Sequence, residues 1–328
     1  MIVALVGKAG AGKTTIAEAL ESITPDSFVI DGDILRVQTD NTNIDLKGRG
    51  RNIHLGYSRA RWLSDLGFTV FVAMQAPIKE IRDQYLTEDD LLVEVVNSGP
   101  NPKEGFGYNR AFSADYSNKD MTIDLNDYVK RCPVTNEFGV DAQALYDRII
   151  PRVLVISRFQ GFHRGHELVM RVAKKLSPNI TIGLRVDEGD TFDLDKNIEL
   201  LQGMGYNVVK SPNITDSNFK WEQFVKEYDV VVQGNPDVIK KFQGKEDINE
   251  ILKEVTPSGA TDIKFKNGIH LKYVPRIGHI SATQIRNAIR EGNYDFARKY
   301  VTNDVFNFIR DEMRKAENKR QGEGSEGK

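Results

Sequence analysis

The chain of 328 residues is long enough for about two domains, because a typical domain holds about 150 residues. Hydrophobic residues make up 40% of the chain and charged residues 28%, a globular composition that excludes a disordered protein. The net charge of −2 provides no global field for a polyanion, and the single cysteine excludes an internal disulfide and two-cysteine zinc sites. We therefore expect a reducing, cytoplasmic location and no nucleic-acid partner.

The apolar segments are short. None approaches the roughly 20 residues of a membrane helix, and the first one, at residues 2–6, runs directly into glycines. We therefore expect no membrane partner, no signal peptide and a mature protein that begins at Met1.

Short β-type apolar runs alternate with helix-like segments along the whole chain. The predicted strands are 2–6, 27–30, 69–74, 152–156, 180–184, 207–210, 230–232 and 269–274. This alternation predicts an α/β protein made of two parallel-sheet, three-layer domains. The alternation stops between 103 and 139 and resumes at Pro151. We predict a first domain at 1–149, a second at 150–312, and a polar, disordered tail at 313–328.

A phosphate-binding pattern follows the first strand. Residues 7–14 match G-x-x-x-x-G-K-[ST] and lead into a helix-like segment at 15–20. Backbone N–H groups of such a loop surround phosphate, the lysine reaches the β- and γ-phosphates, and the threonine binds Mg²⁺. We expect Lys13 to be catalytic and Thr14 to bind the metal, in an ATP site formed by Gly7, Gly10, Gly12, Lys13, Thr14 and Thr15. A glycine-rich turn without a ligand is the alternative.

Two carboxylates and an arginine follow the second strand: Asp31, Asp33 and Arg36. Ligands of open α/β sheets bind at this carboxyl edge. Asp33 is suited to orient or deprotonate an acceptor hydroxyl, and Asp31 to hold the acceptor or a water bound to Mg²⁺. A turn with solvated charges is the alternative interpretation.

Together with 49–53 and 60–77, these motifs resemble the adenylylsulfate kinase family over about residues 1–80. The resemblance implies a P-loop NTPase fold and an acceptor site formed by Asp31, Asp33, Arg36, Arg49 and Asn52. The chain departs from the family at Ile34 and Arg51. In addition, the family's arginine- and lysine-rich lid is replaced by Asn-Ser-Gly-Pro-Asn-Pro at 97–102. We therefore predict a kinase whose acceptor the sequence does not identify.

A second motif follows the strand at 152–156. Residues 157–166 contain two histidines spaced H-x-G-H at a strand-to-helix turn, which can bring both imidazoles to an entering triphosphate. In-line attack on an α-phosphate needs positioning and charge stabilisation rather than a protein nucleophile. Zinc ligands and plain surface histidines are the alternatives.

A third motif, at 279–286, opens a helix. The hydroxyls of Ser281 and Thr283 are expected to cap this helix, and Arg286 is placed to clamp the β- and γ-phosphates. A plain helix cap with a solvated arginine is the alternative.

These two segments are signatures of the nucleotidyltransferase superfamily, and residues 152–312 resemble the archaeal-type nicotinamide mononucleotide adenylyltransferases. The resemblance implies a Rossmann-like fold, a homo-oligomer, and Mg²⁺-dependent AMP transfer from ATP to nicotinamide mononucleotide. His163, His166 and Arg286 would stabilise the transferring phosphates, and Trp221 would stack on the nicotinamide ring. The implied ATP site consists of Arg158, Phe159, Gln160, His163, His166, Asn235, Ser281, Thr283 and Arg286. Departures from the family occur at Gly161 and at 196–197.

The sequence as a whole predicts a bifunctional enzyme with an ATP- and Mg²⁺-using kinase followed by an adenylyltransferase of NAD biosynthesis. A kinase acting on nicotinamide riboside would make the two steps sequential. Two alternatives stay open. One is a sulfate-activating enzyme, because ATP sulfurylases share H-x-G-H and occur fused to adenylylsulfate kinases. The other is a nucleotide sensor without turnover, which the altered lid would permit.

Overall fold

The computed structural model describes residues 1–99, 116–131, 138–185, 192–211, 221–235, 261–264, 268–274 and 281–323. The chain divides into two compact units. The first comprises Met1–Pro151 with Lys174–Pro178, and the second comprises Arg152–Ala173 with Asn179–Lys328. Much of the predicted break at 103–139 lies outside the described residues.

The first unit is built on a five-stranded parallel sheet in the order β2-β3-β1-β4-β5. Its strands are β1 (Ile2–Val6), β2 (Ser27–Asp31), β3 (Thr69–Ala73), β4 (Leu91–Val96) and β5 (Met121–Asp124). Strands β1 and β3 are buried along their whole length, which explains why both appear in the sequence as continuous apolar runs.

Helices cover both faces of this sheet. They are α1 (Lys13–Glu21), α2 (Gly32–Gln38), α3 (Leu46–Asp65), α4 (Lys79–Arg82) and α5 (Ala142–Ile149). One apolar core joins β1 and β3 to α1 and α5, and the other joins them to α2 and α3. The unit therefore has the predicted three layers. A 3-10 helix (Leu125–Tyr128) and an antiparallel pair, β6 (Val129–Arg131) with β7 (Phe138–Val140), complete it.

The second unit contains a six-stranded mixed sheet in the order β10-β9-β8-β11-β13-β12. Its strands are β8 (Val153–Ser157), β9 (Ile180–Arg185), β10 (Asn207–Ser211), β11 (Val230–Gln233), β12 (Thr261–Lys264) and β13 (His270–Tyr273). Strand β12 pairs antiparallel with β13, whereas the sequence predicted a wholly parallel sheet. The physical reason is the short connection between them, since parallel pairing needs a crossover of a dozen or more residues.

The helices of the second unit are α6 (Arg164–Leu176), α7 (Leu194–Gly203), α8 (Trp221–Val225), α9 (Ala282–Arg290), α10 (Tyr294–Arg298) and α11 (Asn303–Glu323). Helix α11 continues to Glu323, where the sequence predicted a disordered tail from 313 onward. Burial of Met313 and an ion pair between Lys196 Nζ and Glu312 Oε1 (3.2 Å) tie this part of the helix to the unit. Residues 324–328 lie outside the described part. None of the described helices combines the length and hydropathy that crossing a bilayer requires.

A buried carboxylate holds the amino end of the first sheet. Asp90 Oδ1 accepts a hydrogen bond from the Ile2 N–H (2.7 Å), and Oδ2 accepts from the Thr87 N–H (2.8 Å) and from the Arg61 guanidinium. Arg61 also lies near Asp65, at 3.9 Å on the same helix. The Asp90 side chain is 2% exposed and that of Asp65 is 62% exposed.

This contrast gives a stability prediction. Asp90→Ala leaves buried donors without an acceptor, and we expect it to lower the free energy of unfolding of the first unit by about 2–4 kcal/mol. Asp65→Ala removes only an exposed ion pair of the same arginine and should cost less than about 0.5 kcal/mol. Hydrogen exchange of β1 and β3 peptides in the full chain measures both values. Equal effects of the two variants would contradict the role assigned to Asp90.

Candidate functional site

The glycine-rich loop connects the carboxyl end of β1 to α1. Gly7 and Gly12 have φ angles of 140° and 94°, in the region that favours glycine. A Cβ atom added to Gly7 would lie 2.3 Å from the Val95 carbonyl oxygen, and one added to Gly12 would lie 2.3 Å from Leu125 Cδ2. The loop conformation therefore requires glycine at both positions.

The Lys13 side chain folds back over this loop. Its Nζ donates hydrogen bonds to the carbonyl oxygens of Gly7 (3.1 Å) and Lys8 (2.7 Å). These oxygens are neutral dipoles that set the position of the ammonium group. An anionic phosphate oxygen would be a stronger partner for the same group.

The Asp31 carboxylate links the loop helix to the next one. Asp31 Oδ2 accepts from Thr14 Oγ1 (2.6 Å), while Oδ1 caps α2 by accepting from the N–H groups of Asp33 (2.8 Å) and Ile34 (3.0 Å). A hydroxyl and a carboxylate in contact are both oxygen ligands of the kind that Mg²⁺ takes. The residues present therefore fit a magnesium ion beside Thr14.

The two predicted acceptor-site arginines are anchored on one segment before α3. Arg36 donates to the carbonyl oxygens of Asn41 (3.1 Å) and Asn43 (2.7 Å), and Arg49 Nε donates to that of Ile44 (2.8 Å). Arg49 also donates to Gln75 Oε1 at 2.7 Å. Both guanidinium groups are thereby oriented before any substrate arrives.

Asn52 lies one helical turn after Arg49 on α3. Its Nδ2 donates to the Gly32 carbonyl oxygen (3.0 Å), and its buried Oδ1 has no hydrogen-bond partner among the described residues.

Asp33 differs from its neighbour Asp31, because its side chain is exposed. No hydrogen bond or ion pair to another described residue engages the Asp33 carboxylate.

One cavity of about 710 Å³ brings the predicted kinase residues together. Gly10, Gly12, Lys13, Thr14, Thr15, Asp31, Asp33, Arg36, Arg49 and Asn52 all line it. Gly7 is not among the lining residues. Further lining residues, which the sequence had not indicated, include Ile44, Ile53, Ala73, Met74, Gln75, Ala76 and Pro77. The segment 75–77 follows β3, so the strand-end rule that found Asp31 could have found it as well.

Two residues outside the cavity hold this segment. Arg82 is fully buried and donates to the Ala76 carbonyl oxygen, and Ala76 has a φ of 39°, a strained value for a residue with a side chain. The Tyr116 hydroxyl donates to the Gln75 carbonyl oxygen. Burial raises the pKa of Tyr116 to about 12, so the hydroxyl keeps the proton that it donates at neutral pH. The Arg82 guanidinium carbon lies 5.3 Å from the Tyr116 ring centroid.

The H-x-G-H motif of the second unit forms the turn between β8 and α6. His163 Nδ1 accepts from the Gly165 N–H (3.0 Å), and His166 Nδ1 accepts from the His163 N–H (3.3 Å). Each neutral ring is therefore assigned its proton on Nε2. The ring centroids are 4.0 Å apart, so the two adjacent rings can offer both Nε2–H groups to one ligand.

The structure joins this turn to the motif at the start of α9. Arg286 donates to the Gln160 carbonyl oxygen (2.8 Å), 126 positions away in the chain, and to Thr283 Oγ1 (3.2 Å). Ser281 caps α9 in a capping box with Gln284. Thr283, expected to share the capping, instead accepts from Arg286. His279 and Ile280 lie outside the described residues.

The other predicted residues of this site have separate surroundings. The Arg158 carbonyl oxygen accepts from Asn197 Nδ2 (3.2 Å), which also donates to that of Phe159 (3.3 Å). Gln160 Oε1 accepts from the Phe192 N–H at 3.1 Å.

Asn235 follows β11, the neighbour of β8, and its N–H donates to Gln233 Oε1 (2.8 Å). Trp221 begins α8, but its side chain lies outside the described part of the chain. The sequence had indicated no role for Asn197, which holds the turn before the H-x-G-H motif.

In a comparison with known protein families, a match covers residues 1–98 of the first unit. The family model for adenylylsulphate kinase matches residues 1–98. A comparison with curated proteins finds no match. The adenylylsulfate kinase CysC of Mycobacterium tuberculosis, solved with AMPPNP and APS, is 21% identical with a TM-score of 0.31, over 37% of this chain and 86% of that one.

Two other solved structures are less similar in sequence. A sugar kinase from Janibacter sp. HTCC2649 is 16% identical with a TM-score of 0.26, over 29% of this chain and 60% of that one. A chain of the Pnkp1/Rnl/Hen1 RNA repair complex is 10% identical with a TM-score of 0.26, over 74% and 91% of the respective chains.

The resemblance of residues 152–312 to an adenylyltransferase stays a prediction. Residues 1–98 form an adenylylsulfate-kinase-like P-loop nucleotide-binding domain.

Proposed function

We propose that the first unit is a kinase that transfers the γ-phosphoryl group of ATP to a hydroxyl group of a small molecule. One observation carries this proposal: a single cavity is lined both by Lys13 and Thr14 of the phosphate loop and by Asp33 of the next strand end. A nucleotide and an acceptor can therefore occupy the same cavity, which in-line transfer requires.

The residues divide the chemistry between them. The loop N–H groups and Lys13 stabilise charge on the β- and γ-phosphates. Thr14 and Asp31 would hold Mg²⁺, which neutralises the same oxygens. The acceptor oxygen attacks the γ-phosphorus, ADP leaves, and the Asp33 carboxylate takes the hydroxyl proton. Asp33 suits this role better than Asp31, whose oxygens are engaged with Thr14 and the α2 cap.

The second unit, in this proposal, transfers AMP from ATP to nicotinamide mononucleotide. A phosphate oxygen of the mononucleotide attacks the α-phosphorus, pyrophosphate leaves, and NAD forms. The support is the contact of Arg286 with the turn that carries His163 and His166. Strands β8 and β11 are adjacent, and the chain order reverses between them, which is where open α/β sheets bind nucleotides. A first unit acting on nicotinamide riboside would supply the mononucleotide.

The products separate this proposal from its alternatives. A sulfate-activating enzyme would form adenylyl sulfate from ATP and sulfate and then phosphorylate it. A nucleotide sensor would bind ATP and release neither ADP nor pyrophosphate with any acceptor. Mass spectrometry after incubation with ATP, Mg²⁺ and nicotinamide mononucleotide, or with sulfate instead, distinguishes the three.

Two substitutions should separate the two activities. Lys13→Ala removes the cation on the β- and γ-phosphates and should reduce acceptor-dependent ADP formation by about 10³-fold, with NAD formation unchanged. His166→Ala should reduce NAD formation by about 10²-fold or more, with ADP formation unchanged. Chromatography of ADP, NAD and pyrophosphate from the full chain measures both. Loss of both activities in either variant would contradict two independent sites.

The role of Asp33 gives a further prediction. Asp33→Asn should lower kcat by about 10²–10⁴-fold, because the proton acceptor is lost, and should leave the KM for ATP unchanged. The assay is ADP formation with nicotinamide riboside or adenylyl sulfate as acceptor. Asp40→Asn is the matched control, since Asp40 is exposed and does not line the cavity. Full kcat in Asp33→Asn would exclude Asp33 as the base.

A further inference from the structure

We propose that Gln75 is the residue with which the kinase cavity recognises the non-reacting part of its acceptor. Its side-chain amide donates a hydrogen bond to a carbonyl oxygen or aromatic nitrogen of a nucleoside-like molecule. This inference rests on the proposed kinase function of the first unit and adds the residue by which that site selects its acceptor.

The orientation of the Gln75 amide is set by Arg49. A guanidinium group only donates hydrogen bonds, so the amide atom 2.7 Å from Arg49 is the oxygen. Arg49 is itself 8% exposed and is held by the Ile44 carbonyl oxygen at 2.8 Å. A flipped amide would place N–H groups against N–H groups. The Gln75 Nε2 therefore faces away from Arg49 as a donor.

This donor has no protein acceptor among the described residues. Gln75 is half-buried and lines the cavity. When a substrate displaces water from the cavity, a donor left without an acceptor lowers the affinity by about tenfold. A substrate that supplies an acceptor atom avoids this cost, so Gln75 favours such a substrate over one without it.

The backbone of Gln75 is fixed as well. Tyr116 donates to its carbonyl oxygen, and buried Arg82 donates to that of Ala76. The left-handed conformation of Ala76 is held by these contacts. A donor on such a rigid wall selects by position, because it cannot follow a displaced ligand.

The surroundings of Gln75 indicate the shape of the acceptor. The cavity wall near it is apolar, formed by Ile44, Ile53, Ala73, Met74, Ala76 and Pro77. This apolar wall suits a flat heterocycle, and the polar residues that also line the cavity, such as Asp33 and Asn52, suit the hydroxyl groups of a sugar attached to it. The acceptor class is therefore a nucleoside or nucleotide whose ring carries a hydrogen-bond acceptor.

The test uses two glutamine-to-glutamate variants of the full chain. Gln75→Glu keeps an oxygen for Arg49 but replaces the amide donor with an acceptor. We expect its KM for nicotinamide riboside or adenylyl sulfate to rise at least about tenfold, with kcat and the KM for ATP unchanged. The matched control is Gln38→Glu. Gln38 also accepts from an arginine of α3, Arg59 at 3.5 Å, but it is exposed and does not line the cavity.

Substrate analogues give a second, independent readout. The wild type should prefer nicotinamide riboside to pyridine riboside, which lacks the carboxamide, and both nucleosides to D-ribose, by about tenfold or more in kcat/KM. Gln75→Glu and Gln75→Met should remove the first preference. D-ribose as good a substrate as the nucleosides, or an unchanged KM in Gln75→Glu, overturns the inference while the kinase proposal stands.

Binding measurements keep the two proposals separate. If the wild type phosphorylates none of these acceptors, the kinase proposal fails, and calorimetry of the same compounds with the ATP-loaded protein decides the inference. Nucleosides that bind the wild type at least about tenfold more tightly than Gln75→Glu support the role of Gln75. Equal affinity for the two proteins, or no nucleoside binding to the wild type, overturns it.

Discussion

The geometry of the kinase cavity depends on one buried carboxylate. Asp31 accepts from the Thr14 hydroxyl with one oxygen and from two N–H groups at the start of α2 with the other. A buried charge is tolerated only when its hydrogen bonds are made, so neither contact can be released cheaply. The start of α1, which follows the phosphate loop, and the start of α2, which carries Asp33, therefore have a fixed relative position. In the proposed kinase reaction, this arrangement determines the distance between the phosphate and the acceptor hydroxyl.

The part of the cavity lined by residues 75–77 depends on a buried cation. Arg82 is enclosed completely, and its guanidinium group donates to the Ala76 carbonyl oxygen and lies over the Tyr116 ring. Enclosing a guanidinium without acceptors would destabilise the unit, so the chain before it must present a carbonyl oxygen there. Ala76 adopts its left-handed conformation at that point.

Local patterns predicted β1–β3, β8–β11 and β13, together with the phosphate loop and its helix, because these features depend on neighbouring residues. Strands β4–β7 and β12 were not predicted. The strand-end rule also placed Asp31 and Asp33 beside the loop. Arg82 and Tyr116 gave no such signal, because their contacts with the segment 75–77 join residues from six to 41 positions apart. The helix beyond Met313 was missed for a related reason. Its sequence is polar, and contacts with the body of the unit, such as that of Glu312 with Lys196, hold the start of this stretch.

In the proposed functions, both units prepare cations for an anionic ligand in the same physical way. Lys13 donates to two carbonyl oxygens of the phosphate loop, and Arg286 donates to the Gln160 carbonyl oxygen in the turn before His163. A carbonyl dipole fixes the position of a cation but does not cancel its charge, whereas a carboxylate would cancel it. Each cation is thus oriented at the carboxyl end of a parallel strand before the nucleotide binds. Little reorganisation is then needed when phosphate oxygens arrive, and this preorganisation makes such charges effective in group transfer.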